Sequence, residues 1–406
     1  MNQTPAHLAI KIVLGTLFLI WVLSVAQKGS AEEYAVPNAG SPYMSLNDLG
    51  MNQILHIPTG IKVTEDQMIE VVSGSRVIYI GETHDNLEAH RAQLEVIERL
   101  VQKFPGKITV GMEMFRRSAQ PSLDRWRNGD LSQGEFKTLF YKNWGPGFKL
   151  YQPIFDFLKE NSIPLIGLKS SGKTEALFRK EGTKASPGSF PEMDESDVYH
   201  KTFSMSIFGG HVDHAEALKK PYQMLVLWEE TMAKTVAEFL KNTSDGKLVV
   251  LAGGFHVQYG FGIPKRAFRR IPHAYSIILP TVTQLPAELK DREMKVKHVS
   301  IPLYAGDFAW RLEYKVQPEN KVKLGVQLKE SDLGISVLFV GKNSNAGKAG
   351  ILKGDVLLAL GGEKILSVDD LITRLQTFNI GDHATIHLRR GIGELDVDVL
   401  LRKTTP

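Results

Sequence analysis

Short apolar segments rich in β-branched residues alternate with helical patterns along much of the chain. Five segments have the length and composition of buried strands: residues 76–81, 107–115, 162–168, 247–254 and 274–281. A helical pattern over residues 85–103 follows the first of them, with Asp85 or Asn86 as its N-cap. Continuous apolar strands separated by helices are typical of a mostly parallel sheet with helices on both faces. An α/β fold is therefore predicted.

Charged side chains follow the ends of three of these strands. Glu82 and His84 lie in "GETH" after the first strand, Glu113 lies in "GMEMF", and His256 lies in "GGFHVQYG". Parallel α/β sheets bind ligands beyond the carboxyl ends of their strands. The glycine three residues before each histidine permits a sharp turn. We therefore expect these four side chains to converge on one edge of the sheet.

Three kinds of site fit these residue types. His84, Glu113 and His256 could hold a divalent metal with one open position, while a second carboxylate such as Glu82 acts as general base. The same groups could instead contact a haem iron or the haem propionates. Each could also be purely structural, as a helix cap, a salt bridge or a hydrogen-bonded loop residue. The spacing of the residues leaves these alternatives open.

The composition excludes several classes of protein. The chain has no cysteine, which excludes disulfides, cysteine-ligated zinc, iron–sulfur clusters, a cysteine nucleophile, covalent c-type haem and a lipid anchor on cysteine. The formal net charge is only +4, so binding to nucleic acid is not indicated.

The N-terminal residues predict export. Residues 12–26 are apolar and uncharged, Lys11 precedes them, and small residues follow at Ala26 and Gly29. This apolar run is shorter than the about 20 residues that a spanning helix needs. Residues 1–31 are thus interpreted as a signal peptide or an N-terminal membrane anchor. The protein is expected to be periplasmic or anchored to the inner membrane.

Two further motifs each allow two interpretations. Residues 167–174, "GLKSSGKT", match the P-loop pattern, but the helical pattern after them is short and no strand ending in Asp stands out as a magnesium-holding partner. We interpret them as a polar loop. His211 and His214 flank Asp213 and could form a second metal or haem contact, or the solvated start of a helix.

Residues 50–285 resemble the ChaN-like haem-binding family, which is related to the Tiki, TraB and erythromycin-esterase group. The resemblance rests on "VIYIGETHDNLEAHRAQLEVI", "GMEMF", "YQMLVLWEETMAKTVAEFL" and "LAGGFHVQYGFGIPKR". It implies an α/β fold. It also implies that His84, Glu113 and His256 are the residues that this chain shares with the wider group. Two departures stand out: Glu229 replaces the usual Asp in "WEETMA", and Lys169 replaces the usual Asn in "GLKSS".

The resemblance implies two alternative functions. ChaN-like proteins are associated with haem binding and iron acquisition, with a tyrosine and a histidine contacting haem at a homodimer interface. Tyr259, His84 and His256 are the candidates here. Members of the wider group are hydrolases or peptidases, metal-dependent or metal-free, that use the positions of His84, Glu113 and His256.

Residues 322–403 resemble a bacterial PDZ domain, preceded by a charged linker at residues 286–321. The matching segments are "VKLGVQL", "NAGKAGILKGDVLLALGGEKI", "SVDDLITRL" and "GDHATIHLRRG". PDZ domains add an extended peptide to a sheet edge and bind its C-terminal carboxylate through backbone N–H groups. The resemblance assigns that loop to Leu324, Gly325 and Val326, with exported or membrane proteins as partners. A PDZ-shaped spacer without a ligand is the alternative.

Overall fold

The computed structural model describes residues 46–145, 147–182, 185–208, 215–292, 299, 301–317, 322–331, 334–365, 368–375 and 377–403. The predicted signal or anchor segment, residues 1–31, lies outside these ranges, as do His211 and His214. Within the described ranges, no helix has both the length and the apolar character needed to cross a membrane.

The first part of the chain forms an eight-stranded sheet, sheet A. Its strands are β1 (Ile54–His56), β2 (Ile61–Val63), β3 (Val77–Glu82), β4 (Ile108–Arg116), β5 (Leu165–Lys169), β6 (Lys247–Gly253), β7 (Tyr275–Thr281) and β8 (Phe308–Arg311). The order across the sheet is β2-β1-β8-β7-β3-β6-β4-β5. Strands β3 to β8 pair in parallel, whereas β1 pairs antiparallel with β2 and β8. The predicted mostly parallel α/β fold is confirmed.

Helices cover both faces of sheet A. They are α1 (Glu65–Val72), α2 (Leu87–Lys103), α3 (Gln120–Asn128), α4 (Gln133–Asn143), α5 (Phe148–Glu160), α6 (Gly172–Glu181), α7 (Val198–Phe208), α8 (Ala215–Asn242) and α9 (Ile263–Arg270). The N-cap of α2 is Asn86, whose side chain accepts a hydrogen bond from Glu88 N at 3.1 Å.

The strand pleat separates two apolar cores. In β3, Ile78 and Ile80 pack with the core formed by α1 to α5, whereas Val77 and Tyr79 pack with α8 and α9 on the other face. Successive residues of a strand point to opposite faces, so Glu82 points toward the same face as Ile78 and Ile80. This alternation determines where the charged groups at the strand ends lie.

Sheet A also contains a strand from the segment interpreted as a linker. Residues 308–311 form β8 between β1 and β7, because Phe308, Ala309 and Trp310 are all buried there. The chain stays on this unit beyond β8: Leu87 N donates to the carbonyl oxygen of Lys315 at 2.7 Å. The sheet therefore extends past residue 285.

The C-terminal part forms a second, antiparallel sheet, sheet B. It contains β9 (Val326–Ser331), β10 (Gly334–Val340), β11 (Val356–Leu360), β12 (Glu363–Lys364), β13 (His383–Arg390) and β14 (Gly393–Leu400), with helices α10 (Asn345–Lys348) and α11 (Val368–Leu375). The order is β14-β13-β11-β10-β9, and β12 pairs with β11. Its apolar core is built only from residues of this part, which is the property expected of a separately folding domain.

Helices of the two parts are in contact. Helix α4 of the first part contacts α11 of the second. Beside this contact lies a cleft of about 780 Å³, lined by Lys137 and Thr138 on one side and by Asp370 and Arg374 on the other. The linker is thus accompanied by a direct contact between the two parts.

Candidate functional site

Glu82 is buried at the carboxyl end of β3 and accepts three hydrogen bonds. Tyr151 Oη donates to its Oε1 at 2.5 Å, Gln93 Nε2 donates to its Oε2 at 2.7 Å, and His84 Nδ1 lies 2.7 Å from its Oε1. Burial alone would raise the pKa of Glu82, but the charges of His90 and His84 and the hydrogen bonds from His84 and Tyr151 hold it below its ordinary value. A buried carboxylate therefore orients the imidazole of His84.

His84 is the more accessible histidine of this edge, with 44% of its side chain exposed. Its ring meets the Trp144 ring edge-on, with 4.9 Å between the ring centres. Its Nε2 makes no hydrogen bond to any described residue. Burial lowers the pKa of His84, but the hydrogen bond to Glu82 and the charges of Glu82 and Glu113 outweigh it and raise the pKa.

Glu113, His256 and Glu229 form a buried row on the opposite face of the sheet. His256 Nε2 lies 3.4 Å from Glu113 Oε1, and His256 Nδ1 lies 3.1 Å from Glu229 Oε1. Gly253 N donates to Glu113 Oε2 at 2.8 Å. His256 is only 8% exposed. Both ring nitrogens of His256 thus face carboxylates.

The pKa values in this row are strongly shifted. Burial opposes charge on His256, but Glu113 and Glu229 overcome it and raise the pKa of His256 to about 10. Burial likewise would raise the pKa of Glu229, but His200 and His256 lower it to about 2. The pKa of Glu113 is also held far below its ordinary value, against burial, by His256 and His84. The geometry therefore supports an imidazolium between two carboxylates.

The row continues into the interior through residues that sequence reasoning did not single out. His200 Nε2 lies 2.8 Å from Glu229 Oε2, and Arg266 Nε lies 3.4 Å from the same oxygen. Arg266 Nη1 also donates to the carbonyl oxygen of Asp194 at 3.0 Å. These residues come from α7, α8 and α9, so no local sequence pattern connects them.

Gly253 lies between the two groups. A Cβ atom placed on Gly253 would lie 3.0 Å from His84 Nε2 and 3.6 Å from Glu113 Oε2. The structure thus brings His84, Glu113 and His256 to the carboxyl edge of sheet A, although Glu82 and Glu113 belong to opposite faces. The role of each residue stays a prediction.

The metal alternative is not supported by this geometry. Among the residues that the structure describes, no group of three or more His, Asp or Glu side chains could hold a metal ion. The physical reason is that His256 directs both ring nitrogens at carboxylates, whereas a metal ligand needs a free lone pair.

Tyr259 lies in a different environment from His84. Its ring stacks on Phe261 at 5.3 Å and meets Phe203 edge-on at 5.2 Å, with no ring contact to His84 or His256 among the described residues. Its φ is 57°, a conformation that is costly for a residue with a Cβ atom. Burial raises the pKa of its hydroxyl.

Lys169, at the end of β5, lies between two indole rings at the same edge. Its Nζ is 5.1 Å from the centre of the Trp144 ring and 4.5 Å from that of Trp228. Trp144 follows α4 as its C-cap residue. Sequence reasoning noted Lys169 only as a departure from the family pattern.

The P-loop-like segment forms a capped helix start. Ser171 is the N-cap of α6, and its Oγ accepts from Thr174 N at 3.1 Å. Ser170 Oγ donates to Glu175 Oε1 at 2.9 Å. Residues 167–169 belong to β5 and residues 172–174 to α6, so only residues 170 and 171 form the connecting loop.

The predicted carboxylate loop of the second part lies directly before β9. Gly325 has a φ of 75°, and a Cβ atom there would lie 2.3 Å from Ser344 Cβ, so only glycine fits. The carbonyl oxygens of Leu324 and Gly325 accept from Ala346 N and Gly341 N, each at 2.9 Å. Val326 begins β9, which pairs only with β10 among the described strands. One edge of β9 is thus unpaired among the described strands.

The pKa of His256 gives a pH prediction. Since it rises from 6.5 to about 10 on folding, the stabilisation from His256 is complete below about pH 6.5 and lost as pH rises through about 10. We expect the wild-type protein to lose more stability between pH 7 and pH 11 than His256→Gln. Urea unfolding of both proteins across this range measures the difference, and parallel pH profiles would contradict the assignment.

Comparison with known proteins covers both parts of the chain. The model of the family "Haem-binding uptake, Tiki superfamily, ChaN" matches residues 68–267, and the PDZ domain model matches residues 322–401. No curated protein matches the chain.

Three solved structures illustrate the likeness. ChaN of Campylobacter jejuni with cofacially bound haem is 18% identical, with a TM-score of 0.49, over 64% of this chain and 98% of that one. The HtrA3 PDZ domain bound to a phage-derived ligand is 19% identical, with a TM-score of 0.18, over 20% of this chain and 84% of that one. The serine endoprotease from Yersinia pestis is 22% identical, with a TM-score of 0.19, over 20% of this chain and 29% of that one.

The matched family models confirm the resemblance that the motifs predicted. Residues 68–267 belong to the ChaN family of haem-binding uptake proteins in the Tiki superfamily, and residues 322–401 are a PDZ domain.

Proposed function

We propose that this protein binds haem at the carboxyl edge of sheet A, with His84 as an iron ligand. The observation that carries the proposal is the 2.7 Å contact between His84 Nδ1 and the buried Glu82, on a ring that stays partly exposed. A carboxylate on one imidazole nitrogen orients the ring and makes the other nitrogen a better ligand. Histidine is a common axial ligand of haem iron.

The surroundings of His84 also fit a porphyrin. Trp144 and Trp228 provide aromatic surface, and Lys169 provides a positive charge beside them. Haem carries both a flat apolar ring and carboxylates, so this combination suits it. Because the pKa of His84 is raised, ligation must displace a proton, and affinity is expected to fall as the pH falls.

Tyr259 is the second candidate ligand. It occupies a strained backbone position, and tyrosine is an established haem ligand. Tyr259 lies apart from His84 within one copy of the chain. Haem bound between two copies can contact Tyr259 of one copy and His84 of the other. We therefore propose a homodimer in the haem-loaded state, with export to the periplasm and a role in iron acquisition as the setting.

The test is a haemin titration followed by absorption spectroscopy. We expect His84→Ala to weaken haemin binding by at least the about 10–100-fold that loss of a ligand's hydrogen-bond partner costs, because this substitution removes the ligand itself. Tyr259→Phe should shift the Soret band if its hydroxyl is the other ligand. His383→Ala, an exposed histidine of sheet B, is the matched control and should bind as the wild type does. Equal affinity in His84→Ala and His383→Ala would refute the assignment of His84.

A hydrolase is the second candidate function. The Glu82–His84 contact is also the geometry of an oriented general base, whereas His256, with a pKa of about 10, is protonated at neutral pH and cannot accept a proton. The hydrolase proposal predicts turnover of a peptide or ester by haem-free protein, lost in His84→Ala. Failure to cleave such substrates, together with haemin binding, would decide against it.

We further propose that the PDZ domain binds the free C-termini of exported or membrane proteins. Two features support this proposal. Strand β9 pairs with only one other described strand and lies next to α11. The loop at Leu324 and Gly325 requires a glycine at residue 325. A strand edge beside a helix is the arrangement that PDZ domains use for peptide addition.

A further inference from the structure

Lys169 is held in a fixed position without an anionic partner of its own. Its ammonium lies 5.1 Å and 4.5 Å from the ring centres of Trp144 and Trp228. Both distances are within the range of cation–π attraction. None of the described carboxylates forms a salt bridge with Lys169. Two indole rings therefore orient a positive charge that stays available to a ligand.

The two carboxylates that interact electrostatically with Lys169 are bonded to other groups. Glu175 Oε1 accepts from Arg116 Nη1 at 2.7 Å and from Trp228 Nε1 at 3.0 Å. Glu113 accepts from Gly253 N at 2.8 Å and faces His256. These contacts use most of the hydrogen-bonding capacity of the two carboxylates. Neither carboxylate therefore takes the place of an external anion at the Lys169 ammonium.

Trp144 connects this cation to the candidate iron ligand. The same indole ring has Lys169 Nζ at 5.1 Å from its centre and the His84 ring at 4.9 Å. The ammonium and the imidazole thus flank a single aromatic side chain. A flat ligand that is bound by iron at its centre and carries carboxylates on its periphery can reach both.

We propose that Lys169 binds a propionate carboxylate of haem and so selects for porphyrins with free acid groups. This inference rests on the proposed haem-binding function and adds the residue that recognises the periphery of the ligand. The ChaN-like pattern usually has asparagine at this position, and lysine replaces that neutral amide with a charge. A charge-assisted hydrogen bond is about twice as strong as a neutral one.

The test compares haemin with haemin dimethyl ester, in which both propionates are esterified. Absorption titrations are made with the full-length wild type, Lys169→Gln and Lys169→Arg. We expect the wild type to bind haemin about tenfold more tightly than the ester, the factor that one charge-assisted hydrogen bond supplies. Lys169→Gln should bind haemin and the ester about equally. Lys169→Arg keeps the positive charge and should therefore keep most of the preference for haemin.

Lys173→Gln is the matched control, since Lys173 lies on the adjacent helix start and contacts neither indole ring. Lys173→Gln should prefer haemin over haemin dimethyl ester to the same degree as the wild type does. Thermal unfolding by circular dichroism verifies that each variant is folded. If folded Lys169→Gln keeps the full preference for haemin, the inference about Lys169 is wrong while haem binding stands. If the wild type binds neither ligand, the proposed function itself fails.

Discussion

Replacing His256 with alanine is expected to destabilise the protein by about 3–5 kcal/mol, the cost of removing one partner from a buried ion pair. Glu113 and Glu229 are both almost completely buried and would be left facing each other across the cavity of the missing imidazole. Urea unfolding followed by circular dichroism at pH 7 measures the change. His256→Gln, which restores a hydrogen-bond donor without the charge, should fall between the wild type and His256→Ala.

His84→Ala is the matched control for this prediction. His84 is partly exposed, and Glu82 keeps Tyr151 and Gln93 as donors, so the loss should stay within about 1 kcal/mol. The sequence predicts that both histidines lie at one edge of the sheet, but only His256 is enclosed between two carboxylates there. Equal unfolding midpoints for the two variants would show that His256 does not hold the two carboxylates.

A chain that ends at Gln317 is expected to keep haemin binding and to lose all binding to peptide C-termini. The α/β sheet is complete at β8, and Tyr314 Oη still donates to Asp85 Oδ1 at 2.7 Å. The PDZ domain has its own apolar core, so its removal leaves the first core intact. The carboxylate loop at Leu324 and Gly325 is removed entirely.

Calorimetric titration with haemin and with a peptide that has an apolar C-terminal residue measures both activities. The amidated peptide is the control for the full-length chain, since it lacks the carboxylate that PDZ domains bind. A truncated protein that is folded but fails to bind haemin would mean that the contact between α4 and α11 helps to form the haem site.

The main strands were predictable because each carries its own signal. The apolar runs at β3, β4, β6 and β7 were located within one or two residues, since they are buried on both faces and need no polar alternation. The short β1 and β2, with three residues each, have too few residues for a periodic pattern. Residues 308–311 lie in the segment interpreted as a linker, and no local pattern indicates that they join sheet A between β1 and β7.

The site was predictable in part for the same reason. His84 and His256 follow strand ends and Glu113 lies within β4, near its carboxyl end, and a parallel sheet collects such residues at one edge. Glu229 and His200 belong to helices, and only tertiary packing brings Glu229 to His256 and His200 to Glu229. Whether a histidine at a strand end is accessible or enclosed between carboxylates depends on those partners. The sequence pattern therefore located the histidines without distinguishing their environments.

Gly253 offers a practical criterion for related sequences. The methyl group of an alanine at this position would lie 3.0 Å from the His84 ring, tighter than most Cβ contacts, so the ring would have to shift by a few tenths of an ångström. A homologue that keeps both histidines but has a larger residue here should present a displaced imidazole and bind ligand differently. The identity of this one residue can thus separate family members that retain this arrangement from those that retain only its motifs.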